Sequence, residues 1–484
     1  MTDAAFLLPL SAMLPVVAMS IAFAGGARVA ERLTLLTPPI GLVIALMISA
    51  ALLRGGEPLT YMLGGWTPPL GLALRMDGLS AALLLTTTVI IGATAIFARA
   101  EFGTAPGEAE TRRKLMFWCL LLSIWTAMAC VLLSNDLFNL FVGLELLTFA
   151  AVPLAALDGK AETLSAALRY LMFALLGSVL YLLGVALLYG SHGTLDIGLL
   201  STGLQGGAPT LLAVALITVG LIAKSALFPL HLWLPPAHAG APAAASAVLS
   251  ALVVKASFYL LARLWLQVMP PESAWAALQL LAGLGAGAIL LGSLVALRQS
   301  RLKLLIAYST IAQIGYLYFM FPLVLAGGSG AWLGGVLQAV SHAFAKASMF
   351  LAAGVISKAL GHDRIADLGG VARAMPVPVI AFGLAGLSLM GIPPSGGFTA
   401  KWLLLQSALQ TGQWWWAVVM LAGGLLTGGY VFRVLVAAMR SGATPVPVPR
   451  LGVQEKVVLA LALVSLGMGL LPLYSFGLVQ VGQP

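Results

Sequence analysis

Residues 164–190 read LSAALRYLMFALLGSVLYLLGVALLYG, a run with one charge, Arg169. A helix needs about 20 mostly apolar residues to cross the hydrocarbon core of a bilayer, so this run is long enough to span. It is continuous rather than alternating on a two-residue period, which excludes a strand of a membrane barrel. Lipid offers the backbone no hydrogen-bond partner, and helices are what remains. The rest of the chain is of the same kind. Of 484 residues, 61% are hydrophobic and 8% charged, against about 25% charged in a soluble domain. Further apolar runs lie near 6–24, 33–53, 74–98, 115–133, 136–157, 209–228, 242–268, 274–297, 303–326, 331–357, 376–411, 414–439 and 456–476. The prediction is an all-α integral membrane protein with about fourteen transmembrane helices, one polytopic domain over residues 1–484.

Two runs are interrupted. The seventh meets Phe228-Pro229 and continues as an apolar tail to Pro235-Pro236, and the twelfth breaks at Gly391-Ile392-Pro393-Pro394. Broken helices at membrane depth occur where backbone faces protein or water, and they often mark a transport site. Each break lies near a lysine and they stand about five spans apart, which hints at an internal structural repeat.

The net charge of +9 does not point to nucleic acid, because the basic residues lie mostly in short loops, where they set orientation. Loops after odd-numbered spans hold Arg28, Arg32, Arg99, Arg112, Arg113, Lys114, Lys160, Arg298, Arg301, Lys303, Lys358, Arg364, Arg373, Arg440, Arg450 and Lys456; loops after even-numbered spans hold Arg54, Arg75 and Arg263. The expectation is a multi-pass protein of the bacterial inner (plasma) membrane with odd loops in the cytoplasm and both termini outside. The N-terminus (Thr2, Asp3) lacks a basic n-region, so residues 6–24 read as a first span rather than a cleaved signal. Cys119 and Cys130 fall in one predicted helix, about 16 Å apart at 1.5 Å rise per residue, too far to pair.

Setting the loop charges aside leaves Glu145, Arg169, Lys224, Lys255, Lys346, Lys401 and Arg433 inside spans, with His231, His238 and His342 close by. A lysine at a helix centre costs about 2.5–3.5 kcal/mol on insertion scales, and intramembrane ionisable groups usually line an ion or proton pathway. Glu145 needs a nearby cation to stay ionised, and Lys224 is the natural partner. Separating such a pair would let Lys224 release its proton, which is a switch; the alternative is a fixed structural ion pair. Lys255 lies too deep to snorkel and reads as a relay. His342 and Lys346 are four apart, on one helix face, and histidine suits a relay, with a satisfied core histidine as the alternative. Lys401 follows the second break and could terminate the path. His231 and His238 are candidates for relay or exit, with loop packing the open alternative. Arg433 reads as an anchor, and Asp77 and Asp136 as helix caps.

No GxxxxGK[ST] loop, dinucleotide fingerprint, haem CxxCH or iron–sulfur cysteine set occurs in the sequence. No cofactor or metal is expected, and the drive must come from an ion gradient or a partner subunit. No cluster of carboxylates is suited to dehydrating a hard cation, which favours proton over sodium handling in this chain.

The run Ala223-Lys224-Ser225-Ala226-Leu227-Phe228-Pro229-Leu230-His231-Leu232-Trp233-Leu234-Pro235-Pro236-Ala237-His238 resembles the signature of the antiporter-like membrane subunits. So do Val254-Lys255-Ala256 with Tyr259 and Arg263, Lys303 through Ala307-Tyr308-Ser309, Ser341-His342-Ala343-Phe344-Ala345-Lys346, and Gly391-Ile392-Pro393-Pro394 with Gly397-Phe398 and Lys401. The family includes proton-pumping subunits of respiratory complex I, their equivalents in membrane-bound hydrogenases, and the A and D subunits of Mrp-type Na+/H+ antiporters. The resemblance covers about residues 70–440. It implies two inverted five-helix repeats, helices 4–8 (about 115–268) and 9–13 (about 274–439), with helices 7 and 12 broken. It implies the Glu145–Lys224 pair, a hydrophilic axis of Lys255, His342 and Lys346, and Lys401 as the terminal proton site. Asn135-Asp136-Leu137-Phe138-Asn139-Leu140-Phe141 and Gly193-Thr194-Leu195-Asp196 look most like the D-type antiporter chain, whereas Lys224 to His238 is closer to hydrogenase-type relatives. Arg301 stands where the family often has an acid, and Leu144 where a Trp commonly precedes the glutamate.

The resulting expectation is a proton-translocating subunit of a multi-subunit cation/proton antiporter, a transporter rather than an enzyme, working with other membrane subunits in the bilayer, with any Na+ path in a partner. Two alternatives stand beside it: a proton-pumping subunit of a redox complex, which would make it a translocase, and a membrane subunit powering inorganic carbon uptake.

Overall fold

The computed structural model describes residues 3–204, 207–441 and 452–484; Thr2 and Arg450, which enter the reading of the N-terminus and of the loop charges, lie outside them. The helices run in chain order as follows. The first six are α1 Ala4–Gly25, α2 Ala27–Gly55, α3 Gly78–Phe102, α4 Arg112–Leu133, α5 Leu137–Ala155 and α6 Ala161–His192. Helix α7 is in two pieces, Ala208–Lys224 and Leu234–Gly240. Then come α8 Ala243–Val268, α9 Pro271–Arg298, α10 Leu302–Leu325 and α11 Ala331–Leu360. Helix α12 is again in two pieces, Pro376–Met390 and Gly396–Gln410, and α13 Trp414–Met439 and α14 Val453–Leu470 close the series. Twelve of these are long and apolar enough to cross a membrane uninterrupted. The two that are not are the helices whose sequence carries the proline breaks.

The architecture is that of a membrane protein with a polar inside. In its most apolar stretch α8 is wholly buried, and α10 and α11 nearly so, whereas α6, α13 and α14 expose most of theirs. The most apolar span is the exposed α6, with a mean hydropathy of 2.5, and the least apolar are the buried α10 and α11, at 1.5 and 1.4. A lipid-facing span must be apolar, while an interior span never meets lipid and tolerates ionisable groups. Lys255 on α8 and Lys346 on α11 therefore sit on the most shielded elements of the bundle.

Local irregularities open the backbone where those side chains need it. Within α8 the stretches Leu249–Val253 and Leu264–Val268 are π-helical, a widening frequent at functional sites. Lys255 comes two residues after the first. At the α7 break Ala226 adopts φ +55°, and at the α12 break Gly391 adopts φ +83°. Side chains other than glycine visit that left-handed region at a cost, and do so most often at functional sites.

Helix ends follow their capping residues. Asp77 accepts from Ser80 N at 3.1 Å to start α3, and Asp136 accepts from Phe138 N and Asn139 N at 2.9 Å to start α5. One element is not legible in the sequence: between α2 and α3, β1 Leu59–Met62 pairs antiparallel with β2 Ala73–Met76, Leu59 opposite Met76. Its Thr60 and Tyr61 suit a pleated strand, and the helical membrane signal on either side masks so short a pattern.

One arginine stands elsewhere than expected. Arg263, assigned by sequence to a loop, is buried within α8 and paired with Asp77. In one dimension it falls near a span end, but α8 runs on to Val268. Arg169 lies within the α6 span as the sequence placed it, exposed in the third turn of the helix.

Candidate functional site

The first half of the site is built where α5, α6 and the first piece of α7 converge. Lys224, the last residue of that piece, extends its Nζ to Glu145 Oε1 at 2.9 Å and to Thr148 Oγ1 at 3.0 Å. Thr148 lies one turn beyond Glu145 on α5, and its hydroxyl donates to Leu144 O at 2.9 Å, which leaves its lone pairs for the ammonium. Ser178 of α6 donates to the same Glu145 oxygen. The neighbouring Gly177 lets α6 approach: a Cβ there would stand 2.7 Å from Gly220 O and 3.2 Å from Lys224 Cγ. The Lys224 side chain is 6% exposed and that of Glu145 16%. A small cavity with about 10 Å³ open to a water centre adjoins the pair, lined among others by Lys224, Thr148, Val253 and Ser257. That is about the room one water needs, and it joins α7 to α8 two residues from Lys255.

The middle of the site differs in kind. Lys255 Nζ donates to Ser250 O at 2.7 Å, on the π-helical turn of its own helix. Lys346 Nζ donates to Ile306 O at 3.0 Å and to Ser309 Oγ, both on α10. Among the described residues no carboxylate pairs with either. His342, one turn before Lys346, is buried, and both its ring nitrogens lack a hydrogen-bond partner among the described residues. The charges of Lys255, Lys346 and Lys401 all act on its ring. Such an unsatisfied buried group calls for an explanation, and exchange with water is one. His238, in the second piece of α7, is also fully buried with both nitrogens unpartnered, its ring 4.7 Å from that of Phe350. The charges of Lys346 and Lys303 both act on it.

The α12 break makes the far end. Ending the helix at Met390 frees the Leu389 carbonyl, which accepts from Lys401 Nζ at 2.5 Å and from Gln313 Nε2 at 3.1 Å. Gln338 of α11 in turn donates to Gln313 Oε1 at 3.1 Å. The Lys401 ammonium sits 3.9 Å from the centroid of the Tyr316 ring, a cation–π contact. Lys255, Lys346 and Lys401 thus share one design, each resting on a backbone carbonyl. An amine that has lost its proton still carries N–H donors, so a carbonyl contact survives both protonation states, whereas a carboxylate favours the charged one.

Sequence reading missed several residues that contact these groups. Ser178, Thr148, Gln313, Gln338 and Tyr316 are polar residues in apolar runs with no charge to flag them. Lys303, counted as a loop residue, is partly buried at the start of α10 with Nζ 3.0 Å from Ala241 O. It lines a cavity of about 470 Å³ together with Glu101, Asp158, Lys160 and Lys358. His231 is not drawn into the interior row; it lies half-buried in the connection between the two pieces of α7, its ring 5.7 Å from that of Phe228. Arg433 anchors α13 by donating to Leu297 O.

Asp77 does more than cap. Arg263 donates to both its carboxylate oxygens, to Ser80 Oγ at 2.8 Å and to Tyr259 OH at 3.1 Å, and Tyr259 OH donates to Leu132 O at 3.1 Å. Burial alone would push the Asp77 carboxyl up, but the Arg263 guanidinium holds it below the usual carboxylate range. Its stabilising contribution is therefore present above that range and lost as pH falls below it. Removing one partner of a buried pair costs about 3–5 kcal/mol. Asp77→Asn is expected to lower the thermal midpoint of the detergent-solubilised protein by several degrees, and an unchanged midpoint would show that the pair does not tie α3 to α8.

Fold and site together define an integral membrane protein whose helical bundle encloses a row of ionisable side chains. The chain belongs to the NADH:quinone oxidoreductase/Mrp antiporter transmembrane family, whose pattern matches residues 134–427. It is 35% identical over 431 residues to the N chain of the NADH-quinone oxidoreductase of Desulforudis audaxviator, covering 88% of this chain and 83% of that one. It is 28% identical over 416 residues to the D chain of the Na+/H+ antiporter of Bacillus subtilis, covering 85% of this chain and 82% of the other. Among solved structures it superposes on a chain of the Mrp complex from Dietzia sp. with a TM-score of 0.87 and 25% identity, covering 99% of this chain and 96% of that one.

Proposed function

We propose that this chain conveys protons across a bacterial inner membrane as one subunit of a multi-subunit cation/proton antiporter. The observation that carries the reading is the interior row itself: one ion pair, Glu145–Lys224, followed by three buried lysines, Lys255, Lys346 and Lys401, that rest on neutral carbonyls. In that row Lys224 is the switch. Held by Glu145 it keeps its proton; released, it passes the proton through the adjoining cavity toward Lys255. His342 connects Lys255, Lys346 and Lys401, and Lys401 hands the proton on at the α12 break. His238 and Lys303 form a side branch from Lys346 to the cavity lined by Glu101 and Asp158, a route to the loops that follow odd-numbered spans. With Arg263 withdrawn from the even-numbered loops, the excess of basic residues on the odd ones is larger, which supports their cytoplasmic placement and both termini outside.

The helix order supports reading α4–α8 and α9–α13 as two five-helix units. An odd number of crossings places the second unit upside down relative to the first, and each unit then contains one broken helix in fourth place. A second reading, a proton-pumping subunit of a redox complex, is favoured by the higher identity to the quinone oxidoreductase chain. The row would serve either drive.

Isolation of the native assembly in mild detergent, with identification of every co-purifying chain, separates the two. Small hydrophobic membrane partners without redox proteins, and Na+-dependent proton exchange after reconstitution in liposomes, are the expected result. Iron–sulfur or nickel proteins in the assembly would instead place the drive in electron transfer.

A further inference from the structure

A cavity of about 600 Å³ lies apart from the interior row, between the first turns of α2, the end of α3 and the loop that follows it. Arg28, Arg32 and Arg99 line it, against one acid, Glu31. Glu31 is fully engaged: one oxygen accepts from Arg99 Nε at 3.0 Å and the other from Thr104 N at 2.9 Å. Glu110 holds the first amide of α2, accepting from Ala27 N at 2.6 Å, and lies 3.8 Å from Arg28 Nη1. Arg28 also donates through Nη2 to Glu108 O, which leaves its Nε, the Arg32 guanidinium and the Thr104 hydroxyl as donors to spare. Arg32 is exposed and makes no ion pair or hydrogen bond among the described residues. Arg28 Nε and Thr104 Oγ1 are buried atoms without a partner among the described residues, both on residues lining this cavity. Directly beyond Arg32 the same face of α2 is apolar and exposed: Leu36, Ile40, Val43 and Met47, at the spacing of one helical stripe.

We propose that this cavity is a binding site for an anionic phospholipid, its phosphate held by Arg28, Arg32 and Thr104 and one acyl chain lying on the α2 stripe. Guanidinium groups suit phosphate because their fork matches its oxygens, and basic pockets between membrane helices take anionic head groups. The apolar stripe decides between a lipid and a free anion, since it begins one turn below Arg32 and gives an inorganic phosphate nothing to bind.

Native mass spectrometry of the full-length chain, alone and in its native assembly, with added phosphatidylglycerol or phosphatidylcholine of matched acyl chains, tests this. The expected result is selective retention of phosphatidylglycerol, reduced about fivefold in Arg32→Gln, the equivalent of about one basic residue's attraction to anionic lipid. Arg32 has no partner in the fold to lose, and Arg54→Gln at the exposed far end of α2 should leave retention unchanged. Equal retention of the two lipids, equal loss in both variants, or displacement by millimolar inorganic phosphate would overturn the proposal. So would retention by the isolated chain but not by the assembly, which would make the cavity a subunit contact.

Discussion

Glu145→Ala and Lys224→Ala are each expected to bring coupled proton movement to background, and the double variant to be no worse than either. The reason is the geometry of the pair. Lys224 Nζ has two polar contacts, Glu145 Oε1 at 2.9 Å and Thr148 Oγ1 at 3.0 Å. Deleting the carboxylate leaves a hydroxyl to hold an ammonium, and one member of a buried pair stripped of its partner is destabilised by about 3–5 kcal/mol. The group then loses its proton for good, and a carrier that never reloads stops the row. Deleting Lys224 removes the carrier itself. Residues that act as a unit give strongly non-additive losses, hence the expectation for the double variant. Lys224→Arg separates charge from proton release, because arginine keeps the pair but does not deprotonate in proteins. It should assemble like the parent and still fail to transport. The measurement is quenching of a pH-sensitive dye in inverted membrane vesicles, with the recovered complex quantified alongside. Full transport in Lys224→Arg would mean the pair is a fixed strut, and the proton row would have to start elsewhere.

Lys401→Ala should have an effect of similar size, for a different reason. Its ammonium is held by the Leu389 carbonyl and the Tyr316 ring, neither of which needs it for folding. Leu389 O keeps Gln313 at 3.1 Å, and Tyr316 OH keeps Met420 O at 3.0 Å. Removal is therefore expected to leave assembly close to normal while transport is lost. Gly391→Ala probes the same point from the backbone. A Cβ at φ +83° is strained, and it would stand 2.9 Å from Lys401 Cδ, so the lysine stem must shift. Reduced transport in Gly391→Ala, intermediate between parent and Lys401→Ala, is the expected outcome in the same vesicle assay. If Lys401→Ala exchanges protons at the parental rate, the row ends before α12.

The span pattern is readable in one dimension because lipid imposes its demand locally: about 20 apolar residues make a crossing wherever they occur. The same locality exposes Glu145, Lys224, Lys255, Lys346 and Lys401, since a charge inside such a run is costly whatever surrounds it. The helix breaks at Pro229 and at Pro393-Pro394 are equally visible, because proline removes a backbone donor. So the sequence by itself determined the nearly all-helical membrane fold, the two interrupted helices and which ionisable residues lie inside the spans. It misjudged Arg263, whose partner Asp77 lies 186 residues away, and it could not show the β1–β2 hairpin between two strong helical signals. What only the tertiary structure decided is what each of these groups touches. Lys224 meets a carboxylate, whereas Lys255, Lys346 and Lys401 meet the carbonyls of Ser250, Ile306 and Leu389. Those carbonyls belong to residues that nothing in the sequence marks out; the π-helical turn of α8, the break of α12 and the packing of α10 on α11 bring them within reach. A side chain's cost in lipid depends on the residue alone, but its freedom to exchange a proton depends on its partner, and partners are assembled by the fold.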